Sequence, residues 1–120
     1  MEKPENPISP TLVGVYDGWE IVEGVAVAGA GPGKVLAYIL GEYWDDEEQW
    51  RNGLAVLDVS DPAHPVEVGF HNFMTESYAV AVAEGGSGQT YIYVANMEGG
   101  LAILRVRYHL FLPLVLRNSP

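Results

Sequence analysis

The chain contains an internal repeat, which constrains its fold more strongly than any single motif does. Four short blocks recur in the same order, three of them at a spacing of 55 residues and the fourth at a spacing of 47. The paired blocks are residues 10–14 and 65–69, 25–28 and 80–83, 38–39 and 93–94, and 53–57 and 100–104. Chance similarity between short apolar strings would not keep this order, so the sequence indicates a duplicated unit. The change in spacing gives the first copy eight additional residues, which lie between residues 41 and 52.

Each block reads as a β-strand, because short runs of Val, Ile, Leu and Tyr alternate with Gly, Pro, Asn and Asp. No segment has the periodicity of a helix. The predicted strands are residues 24–29, 35–42, 54–59 and 66–71 in the first copy, 78–83, 90–95 and 101–106 in the second, and 12–16 as a stray strand of a preceding unit. The chain begins and ends within the repeat pattern, so we expect it to be a piece of a longer protein.

These strands divide the chain into four parts. Residues 1–23 are expected to hold the outer strand of a preceding repeat and a connection. Residues 24–71 form the first repeat and residues 72–107 a second, incomplete one. A C-terminal segment, residues 108–120, follows them.

The side-chain sizes favour strands that are covered on both faces. Residues 25–28 read Val-Ala-Val-Ala and residues 54–57 read Leu-Ala-Val-Leu, so both faces of each strand are apolar. Such strands suit a sheet packed closely between neighbours, and a four-stranded antiparallel sheet covered in this way is a blade of a β-propeller. We therefore predict an all-β chain of two tandem four-stranded antiparallel blade-like repeats, which is a partial β-propeller. A β-sandwich is the main alternative, although its strands usually have one polar face.

Charge and composition argue against several classes of function. The formal net charge is −10 and the six Lys and Arg residues are scattered, which disfavours nucleic-acid binding. The absence of cysteine excludes disulfides, thiolate nucleophiles and cysteine-ligated zinc. Residues 1–7 are polar and acidic, unlike a signal peptide, and the apolar residues 110–116 are far fewer than the roughly 20 of a membrane helix. We predict no nucleic-acid partner, no membrane span and no cofactor.

The additional residues of the first copy are the most distinctive segment chemically. Residues 42–51 are predicted to form a loop that holds two tryptophans and four consecutive acids. In a blade, the connections before the first strand and after the fourth lie on the same side as this loop. Aromatic side chains flanked by polar groups can stack on sugars or bind a protein partner. The candidate ligand-binding residues are Trp19, Glu20, Trp44, Asp45, Asp46, Trp50 and His71. The alternative is a solvated acidic loop whose aromatic residues pack on the sheet.

Residues with metal-binding or catalytic chemistry form no recognised pattern. The four consecutive acids could offer oxygen ligands to Ca²⁺, but they lack the alternating spacing that wraps a chain around the ion. These weak calcium candidates are Asp45, Asp46, Glu47 and Glu48. Ser77 with His71 and Glu76 is the only local set of nucleophile, base and acid, and no Gly-x-Ser-x-Gly motif marks it. We therefore predict no metal site and no catalytic residue.

The segment after the third strand has the sequence of a tight turn. Asp58 ends the strand and Asp61 precedes Pro62, so both carboxylates can accept backbone N–H bonds and we predict a structural role. Over residues 53–69 the chain resembles the LVIVD-repeat family of bacterial and archaeal surface proteins. The signature of that family is a strand ending in Asp, a Ser-Asp-Pro turn and a returning strand. The second copy departs from it, because Arg105 replaces Asp58 and no Asp-Pro turn follows.

This resemblance implies a β-propeller outside the cell, usually as part of a larger protein, and no established catalytic residues. The first functional hypothesis is therefore a non-catalytic binding or structural scaffold that presents the loop to a protein or glycan at the cell surface. The second is a part of a propeller enzyme, a hydrolase or lyase, whose site lies largely in other blades. The third is a short chain that oligomerises into a propeller. The open faces would be covered by the remaining blades of a longer chain or by self-association.

Overall fold

The computed structural model describes residues 8–85, 88–97 and 100–107, and this part of the chain is all β. It forms two antiparallel sheets. The strands are β1 (Ile21–Gly29), β2 (Val35–Trp44), β3 (Trp50–Asp58), β4 (Val66–Phe73), β5 (Ser77–Glu84), β6 (Thr90–Asn96) and β7 (Gly100–Arg105). The all-β prediction is confirmed, and each of the seven strands predicted for the two copies is present with slightly different ends. The described residues include no helix that is long and apolar enough to cross a membrane.

The first sheet contains β1 to β4 in chain order, with each strand antiparallel to the next. Its first turn depends on glycine, because Gly31 and Gly33 have φ values of 116° and 70°, which other residues rarely adopt. The Lys34 N–H donates to the Gly31 carbonyl at 3.0 Å and closes this turn. The first copy therefore forms the four-stranded sheet that the sequence predicts.

The second sheet contains β5, β6 and β7 in that order. It has three strands within the described residues, so the prediction of two four-stranded sheets holds for the first copy alone. The stray strand predicted at residues 12–16 is not formed, and this segment belongs to neither sheet. Within the described residues, the segment is in no strand ladder with either sheet.

The main core lies between the two sheets. Side chains alternate along a strand, so β2 directs every second side chain towards the second sheet. The buried members of this core are Leu36, Tyr38, Leu40, Leu54, Ile92 and Val94. Val80 and Val82 of β5 pack against them. Apolar burial of this kind contributes about 25 cal/mol per Å² and holds the two sheets together.

The two sheets pack through non-equivalent faces. Val80 and Val82 of β5 point into the main core. Their equivalents in the first copy, Val25 and Val27 of β1, lie on the opposite face of the first sheet, and each is 60% exposed. Ala28, which alternates with them along β1, contacts the core instead. The face of the second sheet that contacts the first sheet thus corresponds, through the repeat, to the face of the first sheet that points away from the contact. The two units are therefore packed head-to-tail.

The outer face of the first sheet, which points away from the second sheet, is lined with smaller side chains. Its buried members are Ala37, Ile39, Ala55 and Leu57. Tyr16 and Trp19, from the segment before β1, pack over them. The Tyr16 hydroxyl donates to Glu67 Oε1 at 2.6 Å, and burial together with this carboxylate raises the pKa of Tyr16. The first sheet is thus covered on one face by the second sheet and, in part, on the other by the N-terminal segment.

Candidate functional site

The additional residues of the first copy lengthen a hairpin and do not form a long loop. β2 and β3 stay paired as far as Trp44 and Trp50, so that only residues 45–49 form the turn. The equivalent hairpin of the second sheet ends its pairing at Asn96 and Gly100. The prediction of a loop over residues 42–51 is therefore wrong for half of that segment, residues 42–44 and 50–51, which are in strands. Aromatic cross-strand pairs stabilise a ladder, which explains why the pairing continues this far.

An exposed pair of tryptophans marks the end of this hairpin. Trp44 and Trp50 are register partners, and their ring centroids are 5.2 Å apart with an interplanar angle of 77°. This edge-to-face geometry is one that aromatic pairs prefer. Trp44 is 47% exposed and Trp50 is 51% exposed. The pair therefore presents a large apolar surface to solvent from a backbone held by sheet hydrogen bonds.

Asp45 holds the hairpin turn together. Its carboxylate accepts hydrogen bonds from the N–H groups of Glu47 and Gln49, each at 2.9 Å, and from Arg51 Nε. The bond from Arg51 lowers the pKa of Asp45 below its usual value. Both Asp45 oxygens are thus engaged by protein donors, while the three acids that follow it, beginning with Asp46, are exposed. These four acids stay the weak calcium candidates that the sequence offers, and the prediction of no metal site stays a prediction.

Trp19 lies on the other face of the hairpin. It packs over Gly41 and Gly53, which are register partners in β2 and β3. A Cβ added at Gly41 would lie 3.1 Å from the Trp19 ring, and one added at Gly53 would lie 3.3 Å from it. The Trp19 and Tyr43 ring centroids are 4.9 Å apart. Glycine at both positions therefore makes room for the indole, which covers the end of the outer face.

Two other segments attach to the hairpin by hydrogen bonds. Glu20 Oε2 accepts from the Trp44 N–H at 3.2 Å, and the Tyr43 hydroxyl donates to Asn72 Oδ1 at 2.8 Å. The structure thus brings Trp19 and Glu20 to the hairpin. It places Trp19 and the Trp44–Trp50 pair on opposite faces, however, so the seven candidate residues do not form one continuous surface.

His71 lies on the same face of the first sheet as the Trp44–Trp50 pair. It is the register partner of Leu54, which points into the main core, and its ring is 5.0 Å from that of Phe73. His71 also lines a groove of about 470 Å³ between β4 and β7, together with Leu54 and Ile92. We call this part of the first sheet, which carries Trp44, Trp50, His71 and Phe73, the aromatic face.

Three glutamates converge at the hairpin end of the molecule. Carboxylate oxygens of Glu23, Glu42 and Glu76 all lie within 4.8 Å of one another. Burial raises the pKa of Glu42, and a hydrogen bond with Glu23 raises it further. Carboxylates at this spacing share a proton or attract a cation. Sequence reasoning missed the cluster, because its members come from the β1 bulge, from β2 and from the connection between the sheets.

The turn between β3 and β4 lies at the opposite end of the first sheet. Asp58 accepts hydrogen bonds from the Ser60 N–H and from Lys34 Nζ, both at 2.9 Å. These bonds lower the pKa of Asp58 to about 2, the backbone bond contributing most. Asp61 Oδ1 accepts from the Ala63 N–H at 3.2 Å. Both carboxylates are therefore engaged by donors in or beside the turn, far from the aromatic face.

Ser77, the candidate nucleophile of the sequence analysis, is the first residue of β5. Its hydroxyl is buried and donates to Asn96 Oδ1 at 2.8 Å. Among the described residues, no hydrogen bond joins this hydroxyl to His71. The arrangement is that of a strand residue whose polar group is satisfied by its neighbour.

Comparison with known proteins identifies one segment of the chain. The family model described as LVIVD repeat matches residues 49–75, which include β3, the turn after it and β4. No curated protein and no solved structure matches the chain. The matched segment contains all of residues 53–69, on which the resemblance rests, and it confirms that resemblance. The segment that contains β3, its turn and β4 is therefore similar to an LVIVD repeat.

Proposed function

We propose that the chain is a pair of repeats from an extracellular β-propeller and acts as a non-catalytic binding scaffold at the cell surface. The head-to-tail packing of the two sheets supports the propeller, because a step that joins non-equivalent faces can be repeated around an axis. The LVIVD repeat supports the location, because the family resemblance implies surface proteins.

The observation that carries the binding role is the exposed Trp44–Trp50 pair. Large aromatic side chains on a protein surface, grouped with others, commonly mark a binding site. The pair projects from a hairpin that is longer than its equivalent in the second sheet. Asp45 locks the turn of that hairpin, so little conformational entropy remains to be lost on binding.

The chemistry of this face favours a neutral or basic glycan as the ligand. The indole rings offer flat apolar surfaces on which sugar rings can stack, and His71 on the same face offers a ring nitrogen for hydrogen bonding. The formal net charge of −10 repels anionic polysaccharides. A neutral or basic polysaccharide therefore suits the aromatic face better than an acidic one.

Binding of the 120-residue chain to immobilised neutral, basic and anionic oligosaccharides tests this proposal. We expect retention on neutral or basic glycans, and a loss of about tenfold or more in affinity for the Trp44→Ala, Trp50→Ala double variant. Phe70→Ala is the matched control, because Phe70 is a 58% exposed aromatic residue on β4 that pairs with Ala55 on the outer face. The proposal is contradicted by an absence of glycan binding, by a preference for anionic glycans, or by equal losses in the two variants.

A further inference from the structure

The second sheet is open at two places in the described part of the chain. β7 pairs with β6 along one edge and has no strand on its other edge. Its face directed away from the first sheet carries Leu101 and Ile103, which are 61% and 57% exposed. In the first sheet the equivalent of Leu101 is Leu54, which is only 2% exposed because the second sheet covers it. Within the described residues, the second sheet therefore has neither a fourth strand nor a covering sheet.

The segment before β1 has the sequence of the missing strand. Residues 10–14 correspond to residues 65–69, where β4 begins, at the spacing of 55 that relates the two copies. This segment joins neither sheet, and it exposes Leu12, Val13 and Val15 by 81%, 61% and 64%. Three apolar side chains with such exposure within four residues indicate a surface that a partner covers.

The segment also lies where a strand of a neighbouring unit would lie. The Tyr16 hydroxyl bonds to Glu67 of β4. Gly14 approaches the turn after β3 so closely that an added Cβ would overlap the carbonyl oxygen of Pro62. Both contacts hold the segment along β4, beside the outer face of the first sheet. In the head-to-tail arrangement, that outer face is the one that meets a further unit.

From these positions we propose that a second copy of the chain docks head-to-tail. The second sheet of the docking chain covers, with its open face, the outer face of the first sheet of the receiving chain. Residues 12–16 of the receiving chain pair with β7 of the docking chain as a fourth strand. The proposed contact repeats the contact between the two sheets of one chain. Val80 and Val82 cover the face of the first sheet that carries Leu54, and their exposed equivalents, Val25 and Val27, would cover the corresponding face of the second sheet. Strand addition to an open sheet edge is an established mode of recognition.

Every chain carries the two surfaces that this contact needs, and a second copy of the chain is therefore the proposed partner. One surface is the exposed segment with the outer face beside it, and the other is the open sheet with its free edge. The proposal rests on the head-to-tail arrangement proposed above and does not involve the Trp44–Trp50 pair, which carries the glycan proposal. Failure of self-association would therefore leave the glycan proposal standing, and failure of glycan binding would leave this one standing.

The repeat also predicts the register of the added strand. In the first sheet, Ala55 of β3 lies opposite Phe70 of β4. The equivalents are Ala102 of β7 and Val15 of the segment, so Val15 of one copy is expected opposite Ala102 of the other. Val15 would then point towards the first sheet of that copy, into the groove of about 470 Å³ between β4 and β7.

The arrangement predicts a limited number of copies. A propeller has about 4–8 blades, and each copy supplies two sheets, so a closed ring contains about two to four copies. A closed ring leaves no docking surface unoccupied, and its mass therefore reaches a plateau. The net charge of −10 on each copy opposes association, so we expect tighter assembly at higher salt.

Sedimentation velocity of the full chain over a wide range of concentration and salt tests the proposal. We expect a plateau at about two to four times the monomer mass, and at least about tenfold weaker association for Leu12→Asp and for Val15→Asp. Both residues are exposed in a single copy, so these changes leave the monomer folded. Ile8→Asp is the control, because Ile8 is 96% exposed, lies outside the donor segment and undergoes the same change in charge.

A monomer at every concentration overturns the proposal. This holds also if the reason is that residues 108–120 of the same chain cover β7. Equal weakening by Ile8→Asp and Val15→Asp also overturns it, since charge alone would then explain the effect.

The absence of cysteine allows a direct test of the register. A Val15→Cys chain is mixed with an Ala102→Cys chain and oxidised, and we expect a disulfide-linked dimer. The control is Val15→Cys mixed with Ile103→Cys, because neighbouring side chains of β7 point to opposite faces. We expect at least about tenfold less of that dimer. Equal yields from the two mixtures would overturn the proposed strand pairing.

Discussion

β2 and β6 occupy the same place in the two repeats, yet they are buried to very different extents. Every residue of β2 from Leu36 to Gly41 is buried, whereas buried and partly exposed residues alternate along most of β6. The first sheet lies between the second sheet and the N-terminal segment, while the second sheet has the first sheet on one face. The sequence of a repeat thus determines where its strands form, whereas the burial of those strands depends on which neighbouring segments cover the sheet.

The largest expected effect comes from one substitution made at equivalent places. Leu54→Ala removes a side chain that is 2% exposed, and the cavity should cost about 2–5 kcal/mol of unfolding free energy. Leu101→Ala removes the same group at the equivalent position, which is 61% exposed, and should cost about 0.5 kcal/mol or less. Urea denaturation at a concentration where the chain is monomeric measures both. Similar costs for the two variants would show that the sheets do not differ in burial as described.

A second prediction concerns the outer face of the first sheet, which the N-terminal segment covers in part, whereas the outer face of the second sheet exposes Leu101 and Ile103. Gly41→Ala places a methyl group against the Ile21 carbonyl and the Trp19 ring, and this overpacking should cost about 1–3 kcal/mol. Gly69→Ala is the control, because its added Cβ would meet its nearest neighbour, Val56, at an ordinary 4.0 Å. Thermal unfolding followed by tryptophan fluorescence distinguishes the two. If Gly41→Ala proved as stable as Gly69→Ala, Trp19 would not pack on the glycine pair.

The smallest expected effect concerns Asp58, which Arg105 replaces in the second copy. The pKa of Asp58 is lowered to about 2, so its contribution to stability is present above the usual carboxyl pKa of about 4 and is lost as the pH falls through about 2. Asp58→Asn should therefore lower the melting temperature by a few degrees at pH 7. The difference from wild type should shrink as the pH falls from about 4 towards 2.

Melting curves across this pH range check the Asp58 prediction. Arg105→Gln is the control at the equivalent position, because a guanidinium stays charged throughout. A difference between wild type and Asp58→Asn that is independent of pH would exclude the ionised carboxylate as its source.

The positions of the strands could be predicted from the sequence because the repeat marks each of them twice. Residues 25–28 and 80–83 have similar sequences and both form strands, although their valines point to different surroundings. Alternation along a strand predicts that two faces exist, but it does not show which face a neighbour covers. The different burial of Val25 and Val80 therefore needed the structure.

The hairpin end was harder to predict, because its chemistry depends on long-range placement. Residues 42–51 are acidic and aromatic, a composition typical of a loop, and the Trp44–Trp50 pairing that extends the strands appears only when the register is known. Strand alternation then separates Trp19 from Trp44. The carboxylates of Glu23, Glu42 and Glu76 lie close together because the two sheets pack against each other, and no short sequence motif predicts such a long-range cluster.

The longer hairpin also has a consequence for local opening of the structure. The ladder of β2 and β3 continues for three residue pairs past Gly41 and Gly53, which is about 10 Å of extra reach. Its last two pairs, Tyr43 with Arg51 and Trp44 with Trp50, have no further ladder partner in β1 or β4. The hydrogen bonds of such a two-stranded tip can open locally while the four-stranded part of the sheet stays folded. Its amide hydrogens should exchange with solvent faster than those beside Leu40, and a molecule gripped between the indoles would slow that exchange.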